Sequence, residues 1–175
     1  MNSHIFATSG NPANGQQVNL TSEPTARVPI SGVDLNSVIN QVFEKKKHVL
    51  QEQMAIVRCD VLPSVKGDTE KLYRLIDHLL NMIVNHPPAG TQLFIYVKCE
   101  PSRSEIIDLG ISDDVKLFDI SFHTNIHNGQ DWYCLYNPVL QECALICKQH
   151  NGSFEANPIS KSGCIFTLTI PGKFN

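Results

Sequence analysis

The side chains that could take part in ligand chemistry lie along one flank of a predicted helix. His78, Met82 and Asn85 stand at i, i+4 and i+7, which places them together beside the apolar stripe of that helix, and His86 follows Asn85 directly. Imidazole and amide groups can contact a polar ligand. The thioether of Met82 is a soft, poor ligand for magnesium, which needs oxygen donors. The spacing therefore places an imidazole, a thioether and an amide on one flank of the helix.

A second group of chemically competent side chains, Cys143, Cys147 and His150, repeats the same spacing on a later predicted helix. Two thiols and an imidazole are zinc-type ligands, but a structural zinc site needs a fourth ligand, which has no evident source here. None of the six cysteines forms a CxxC pair. The pattern favours a helix face packed in the core, and no metal is predicted.

Three helices must position these side chains. Asp34 is a candidate N-cap for the first, which starts at residue 35. The second helix has apolar residues at i, i+3 and i+4 along its length. Pro87 and Pro88 end it. Asn137 and Pro138 form an N-cap and first position for the third, which Gly152 ends.

Strands are predicted between the helices from alternating or β-branched runs. They cover residues 55–61, 93–99, 116–122, 154–156 and 164–170, the last two as a hairpin. Residues 100–115 are compatible with a loop or a further short strand. The order of elements predicts an α+β fold: a two-layer sandwich of a mixed, mostly antiparallel sheet with helices on one face.

Composition narrows the domain organisation and the function class. Residues 1–32 are polar and lack periodicity, which predicts a disordered leader, with a short docking peptide as the alternative, and residues 33–175 fit one domain. A net charge of −3 argues against a general nucleic-acid binder. No run reaches membrane-spanning length and no secretory signal is visible, so a cytoplasmic location is expected.

Several local motifs occur in the order found in one known family. Gly67-Asp68 begins the second helix, His150-Asn151-Gly152 follows the third, and a strand from Gly163 ends at Pro171. Over residues 33–171 the chain resembles the ATP-binding domain of histidine kinases, also called the Bergerat fold. This resemblance implies the two-layer sandwich and a context in two-component signalling.

The resemblance also implies which positions would face a nucleotide. It places His78 and Met82 where the family has asparagines that help hold magnesium, and Asn85 where it has lysine. The family's Asp-x-Gly-x-Gly turn is missing after the strand that leads to Thr124 and Asn125. Its Gly-x-Gly-Leu is replaced by the run from Asn137 to residue 140. Neither ATP nor magnesium is therefore expected as a cofactor.

The family's ATP lid is shortened to the connection between residues 124 and 137. Trp132, Tyr133 and Tyr136 cluster in this connection. Such aromatic side chains would plug the vacated pocket or, if exposed, mark a protein interface. The first alternative is preferred.

The combined expectation is a non-catalytic, histidine-kinase-like domain, a pseudo-ATPase, that acts through contacts with a signalling protein such as a kinase or response regulator. A homodimer is an open alternative. The rival is an atypical ATP-binding sensor, or a kinase or phosphotransfer enzyme, with a non-standard site. A sensor of another small molecule is a third alternative. The polar contacts of the rival site would be His78, Asn85, His86, Thr124, Asn125 and Asn137.

Overall fold

The computed structural model describes residues 31–103, 116–126, 137–159 and 163–174. In chain order, the elements are β1 (Ser31–Asp34), α1 (Leu35–Glu52), β2 (Ile56–Cys59), β3 (Ser64–Gly67), α2 (Thr69–Val84), β4 (Phe94–Pro101), β5 (Lys116–Thr124), α3 (Pro138–Gln149), β6 (Ser153–Pro158) and β7 (Cys164–Lys173). The predicted aromatic cluster of Trp132, Tyr133 and Tyr136 lies outside the described residues, as does most of the predicted leader.

The first and third helices begin at the predicted caps, and Asp68 caps the second. The carboxylate of Asp34 accepts a hydrogen bond from the backbone N–H of Asn36, and Asp68 accepts from the N–H groups of Glu70 and Lys71. Asn137 caps α3 in the same way, with Pro138 at its first position. Each cap satisfies N–H groups that have no partner within the helix, which is typically worth about 1 kcal/mol.

The sheet has seven strands in the order β1-β3-β7-β5-β4-β2, and β6 pairs with β7 off this path. β2 pairs with β4 in parallel, and the other pairs are antiparallel. The prediction of a mixed, mostly antiparallel sheet is therefore confirmed. β5 and β7 form its centre and pair along nine residues of each strand.

The core lies between one face of this sheet and the helices. Along β5 and β7 every second side chain is buried, including Phe122 and Phe166, which are fully enclosed. The intervening residues of β5 are partly exposed, as expected for a sheet with one covered face. On α2, the apolar stripe contributes Leu75, Leu79 and Ile83 to the same core. This arrangement confirms the predicted α+β sandwich.

Two short strands are absent from the sequence prediction. β1 and β3 have four residues each and pair with one another, and β3 also contacts the end of β7. Strands this short carry too few alternating residues to produce a pattern, so their pairing partners define them. β1 starts at Ser31, two residues inside the segment predicted as leader. No helix in the described parts of the chain is long and apolar enough to cross a membrane.

Candidate functional site

The predicted pocket residues lie on three elements: the C-terminal half of α2, the end of β5 and the start of α3. α2 and α3 pack directly against each other. β5 ends at Thr124, and α3 begins at Pro138.

His78 on α2 faces α3 and meets a carboxylate there. Its Nε2 atom lies 3.1 Å from Oε2 of Glu142, and the side chain of His78 is 29% exposed. The two atoms are close enough for an ion pair but do not form an aligned hydrogen bond, so their attraction depends on protonation of the imidazole. Arg74, one turn earlier on α2, approaches the same carboxylate at 3.8 Å. Glu142 thus places a negative charge against the first predicted pocket position.

Sequence reasoning did not identify Glu142 or Arg74. The signal that could have found Glu142 is its place one turn after Pro138 on the helix predicted to face the pocket. Arg74 also pairs with Glu70 at i, i−4, an ordinary helix-surface contact. The contact between His78 and Glu142 joins residues that are far apart in sequence, so periodicity alone does not reveal it.

The other α2 positions differ in exposure. Met82 is buried, with 6% of its surface exposed, and belongs to the hydrophobic core. Asn85 is exposed and forms the C-cap of α2, and His86 is exposed beyond it with Nδ1 2.8 Å from the carbonyl oxygen of Met82. Of the three positions predicted on this flank, His78 and Met82 therefore lie within α2, and Asn85 caps its end.

The end of β5 presents two predicted residues with opposite hydrogen-bonding situations. The side chain of Asn125 bonds to the start of β4 and the residues before it: its Oδ1 accepts from the N–H of Phe94 at 2.7 Å, and its Nδ2 donates to the carbonyl of Gln92 at 2.8 Å. Thr124 is 5% exposed, and its hydroxyl has no hydrogen-bond partner among the described residues. A buried hydroxyl in this condition is costly unless something else contacts it.

The start of α3 is closed by its own cap. The side chain of Asn137 accepts from the N–H of Val139 at 3.0 Å, and Pro138 has no N–H to offer. An anion at a helix N-terminus is held by free N–H groups in the first turn. At α3 the N–H of Val139 is bonded to the cap, and Pro138 has no N–H. The N-terminus of α3 is therefore a poorer anion site than that of an uncapped helix.

A separate polar cleft of about 300 Å³ lies where β3 and α2 meet the end of α3, lined by Lys66, Gly67, Asp68, Lys71, Gln149, His150 and Asn151. His150 is buried, and both ring nitrogens are engaged: Nε2 accepts from the N–H of Asp68 at 3.1 Å, and Nδ1 lies 2.8 Å from the carbonyl oxygen of Ile146. The predicted His150-Asn151-Gly152 motif therefore joins α3 to the start of α2.

The thiols of Cys143 and Cys147 lie in the core on the buried face of α3. Burial raises the pKa of each to about 12. In the described residues, no three or more side chains of the His, Cys, Asp and Glu types are close enough to hold a metal ion.

Comparison with solved structures finds the same fold in the catalytic domains of histidine kinases. The catalytic domain of the histidine kinase ThkA aligns with a TM-score of 0.63 at 13% identity, over 85% of this chain and 100% of that one. The mycobacterial sensor histidine kinase MprB aligns at 0.60 and 15% identity, over 83% and 100% of the two chains.

Full-length ShkA in complex with AMPPNP aligns with a TM-score of 0.59 at 14% identity, over 85% of this chain and 32% of ShkA. No family model and no curated protein sequence matches this chain. Identities this low identify an architecture and leave the chemistry of each site to its own residues. The chain therefore has the fold of histidine kinase catalytic domains.

Proposed function

We propose that this chain is a non-catalytic, histidine-kinase-like domain that acts through protein contacts in two-component-type signalling. The fold supports the signalling context by analogy with the kinases that share it. The observation that carries the non-catalytic part is the pairing of His78 with Glu142, next to a buried Met82. The thioether of Met82 is a poor magnesium ligand, and the Glu142 carboxylate adds a negative charge beside the wall where a triphosphate would lie.

The charge of Glu142 also argues against the binding of a triphosphate at this wall. The Glu142 side chain is 40% exposed, so its charge is available to the space beside α2 and α3. A like charge next to a triphosphate opposes binding, and Arg74, 3.8 Å from the Glu142 carboxylate, is a nearby cation that reduces this effect. The capped start of α3 adds no strong anion site. ATP and magnesium are therefore not part of the proposed function.

The partner in this proposal is a signalling protein, a kinase or response regulator, at a cytoplasmic location. The proposal requires no catalysis by this chain. A domain that has the fold of a kinase domain can keep the surfaces through which such a domain binds other proteins. Binding measurements with purified kinases and response regulators from the same organism would distinguish the two types of partner.

The first test is isothermal titration of the full chain with ATP and ADP, with and without magnesium. We expect no heat of binding at nucleotide concentrations of about 1 mM, which corresponds to a binding free energy weaker than about −4 kcal/mol. Glu142→Gln tests the charge argument, and Glu155→Gln, an exposed residue on β6, is the matched control. Magnesium-dependent binding of the unaltered chain at micromolar concentration would contradict the proposal.

A second candidate function is the atypical ATP-binding sensor, and one observation favours it. The buried hydroxyl of Thr124 at the end of β5 has no partner among the described residues, and a small polar ligand could supply one. Thermal unfolding with ATP, without magnesium, is the sensitive measurement, because a ligand that binds only the folded state raises the transition temperature. A rise that is lost in Thr124→Val and kept in Thr169→Val would favour this candidate.

A further inference from the structure

The outer edge of the sheet at β2 has unpaired backbone groups. In the described residues, β2 pairs only with β4 and ends the strand order. The N–H groups of Ile56 and Asp60 donate to carbonyls on the β4 side, at Leu93 and Val97. Because successive residues of a strand point in opposite directions, the N–H and C=O groups of residues 57 and 59 point away from the sheet. Such a row is a template for another strand.

The side chains on this edge are exposed and partly apolar. Met54 is 71% exposed, Ile56 is 44% exposed and Val61 is 72% exposed. Arg58 is also exposed, and no ion pair involving it is found among the described residues. The backbone pairing with β4 continues to Asp60, one residue beyond the end of β2.

A groove of about 690 Å³ runs beside this edge under the C-terminal half of α1. Its apolar walls include Phe43, Leu50 and Val57, and Glu44 and Lys47 lie on its border. Val57 pairs with the fully buried Ile95 and therefore points to the helix-covered face. A side chain that continues this face beyond β2 would enter the groove.

We propose that two copies of this chain associate edge to edge through β2, antiparallel, about a twofold axis at Cys59. In this register, Arg58 lies opposite Asp60 of the second copy, and Val57 lies opposite Val61 of the second copy. The axis generates each contact twice. The combined sheet is continuous across the two copies.

Three features select this occupant and this register. Opposite residues of an antiparallel pair share a face, so each Val61 lies on the groove side next to Val57 of the other copy. The charges are complementary, because each Arg58 meets a carboxylate. An axis at Val57 would instead put Arg58 opposite Ile56, and an axis at Arg58 would place two like charges opposite each other. An axis at Cys59 also directs the outward backbone groups of both copies at one another.

The proposed dimer does not use the pocket between α2 and α3, so it stands independently of the proposed function. Asp60 remains available to Arg58, because it is partly exposed even though its carboxylate accepts from the Tyr96 hydroxyl and the Cys99 N–H, each at 3.1 Å. An edge contact of this kind is smaller than a standard protein interface, so we expect a weak dimer that forms at high protein concentration.

Sedimentation equilibrium of the full chain, from about 1 µM to about 1 mM, tests the association. We expect the average mass to rise toward twice the monomer mass. Arg58→Glu, which creates two repulsive pairs, and Val61→Lys, which puts a charge at the groove, should each weaken the dimer at least about tenfold. Lys116→Glu, a charge reversal at an exposed position of β5, is the matched control and should leave the dimer unchanged.

Two outcomes would overturn the proposal. One is a monomer over the whole range, which would leave the edge to a strand from a different protein. The other is a dimer that neither Arg58→Glu nor Val61→Lys weakens, which would place the interface elsewhere. Arg58 and Val61 are exposed, so we expect both variants to fold, and circular dichroism at the concentrations used checks this.

Cross-linking tests the register. Facing residues of a hydrogen-bonded antiparallel pair have Cα atoms about 5.5 Å apart, which is within disulfide range. The Cys59 residue is exposed overall, but burial of its thiol raises its pKa to about 11, so oxidation with copper phenanthroline is run at about pH 9. We expect a covalent dimer that Cys59→Ser abolishes. A covalent dimer that persists in Cys59→Ser, with none formed through Cys59, would overturn this register.

Discussion

His150 connects two segments that are distant in the chain through hydrogen bonds to both ring nitrogens. The N–H of Asp68, 82 residues earlier, donates to Nε2, while the Nδ1 side faces the carbonyl of Ile146 on α3. These two roles require a neutral imidazole with its proton on Nδ1. Gly67 makes the approach feasible, because a Cβ atom there would lie 2.3 Å and 2.5 Å from atoms of the His150 ring.

Gly67→Ala is therefore expected to reduce the free energy of unfolding by about 1–3 kcal/mol through this overlap. Urea unfolding measures the loss. Gly32→Ala is the control, because a Cβ at residue 32 meets no atom within 4 Å, and it should change stability by less than about 0.5 kcal/mol. In His150→Ala the added methyl group has room, so the double variant should lose less than the sum of the single losses. Strict additivity would show that the overlap is not the cause.

Thr124 offers a second test at a single residue. Its hydroxyl is buried without a partner in the described part of the chain, so Thr124→Val should raise the free energy of unfolding by about 1 kcal/mol in the absence of ligand. Thr169 is the contrasting case, because its hydroxyl donates to Asp119 at 2.7 Å. Thr169→Val should lower stability by about 1 kcal/mol. Equal losses in both variants would mean that the Thr124 hydroxyl does have a partner.

At the scale of elements, α1 and α2 are joined by one acidic residue between two lysines. Asp77 lies 3.0 Å from Nζ of Lys45 and 3.2 Å from Nζ of Lys46. Burial by itself would raise the pKa of the Asp77 carboxyl, but the hydrogen bonds and charges of the two lysines outweigh burial and leave the pKa below its ordinary value. The Asp77 side chain is 17% exposed, which limits solvent screening of the cluster.

The sign of the resulting pH effect follows from the lowered pKa. The ionised form of Asp77 is favoured in the folded state, so its contribution is complete above the ordinary pKa of 3.8 and is lost as pH falls below that value. Asp77→Asn should cost about 1 kcal/mol or less at neutral pH and should flatten the loss of stability below about pH 4. Glu44→Gln, in an exposed pair with Lys47, is the control. If the free energy of unfolding of Asp77→Asn fell below about pH 4 as steeply as that of the unaltered chain, this account would be contradicted.

The α2–α3 contact has a different character, because His78 attracts the Glu142 carboxylate as an ion pair only when its imidazole is protonated. This contact carries the proposal that the site does not bind a nucleotide. The role of this contact is therefore tested by measuring nucleotide binding rather than the free energy of unfolding.

At the scale of the whole molecule, the core between the sheet and the helices should open as one unit. Cys143 and Cys147 are fully buried in this core, and burial raises the pKa of both thiols to about 12. Pulsed alkylation in increasing urea, read by mass spectrometry, should label them only as the whole chain unfolds. Cys59, which is exposed, should react at lower urea. Labelling of Cys143 before the global transition would show that α3 detaches independently.

The sequence alone determined most of the fold because its signals are local. Asp34, Asp68 and Asn137 cap helices through N–H groups two or three residues away, and alternation along β5 and β7 depends only on neighbouring residues. The positions of His78, Met82 and Asn85 on α2 could be predicted for the same reason. The exposure of each could not, since it depends on where the helix ends and what packs against it.

Only the tertiary structure decided the contacts between residues far apart in the chain. β1 and β3 are strands because of their pairing, and His150 meets Asp68 because α3 ends beside the start of α2. Glu142 lies against His78 for the same kind of reason. A periodic pattern assigns a side chain to a face of its own element but does not state which side chain it meets across the interface. The free edge of β2 likewise follows from strand order in space, which is a property of the folded sheet.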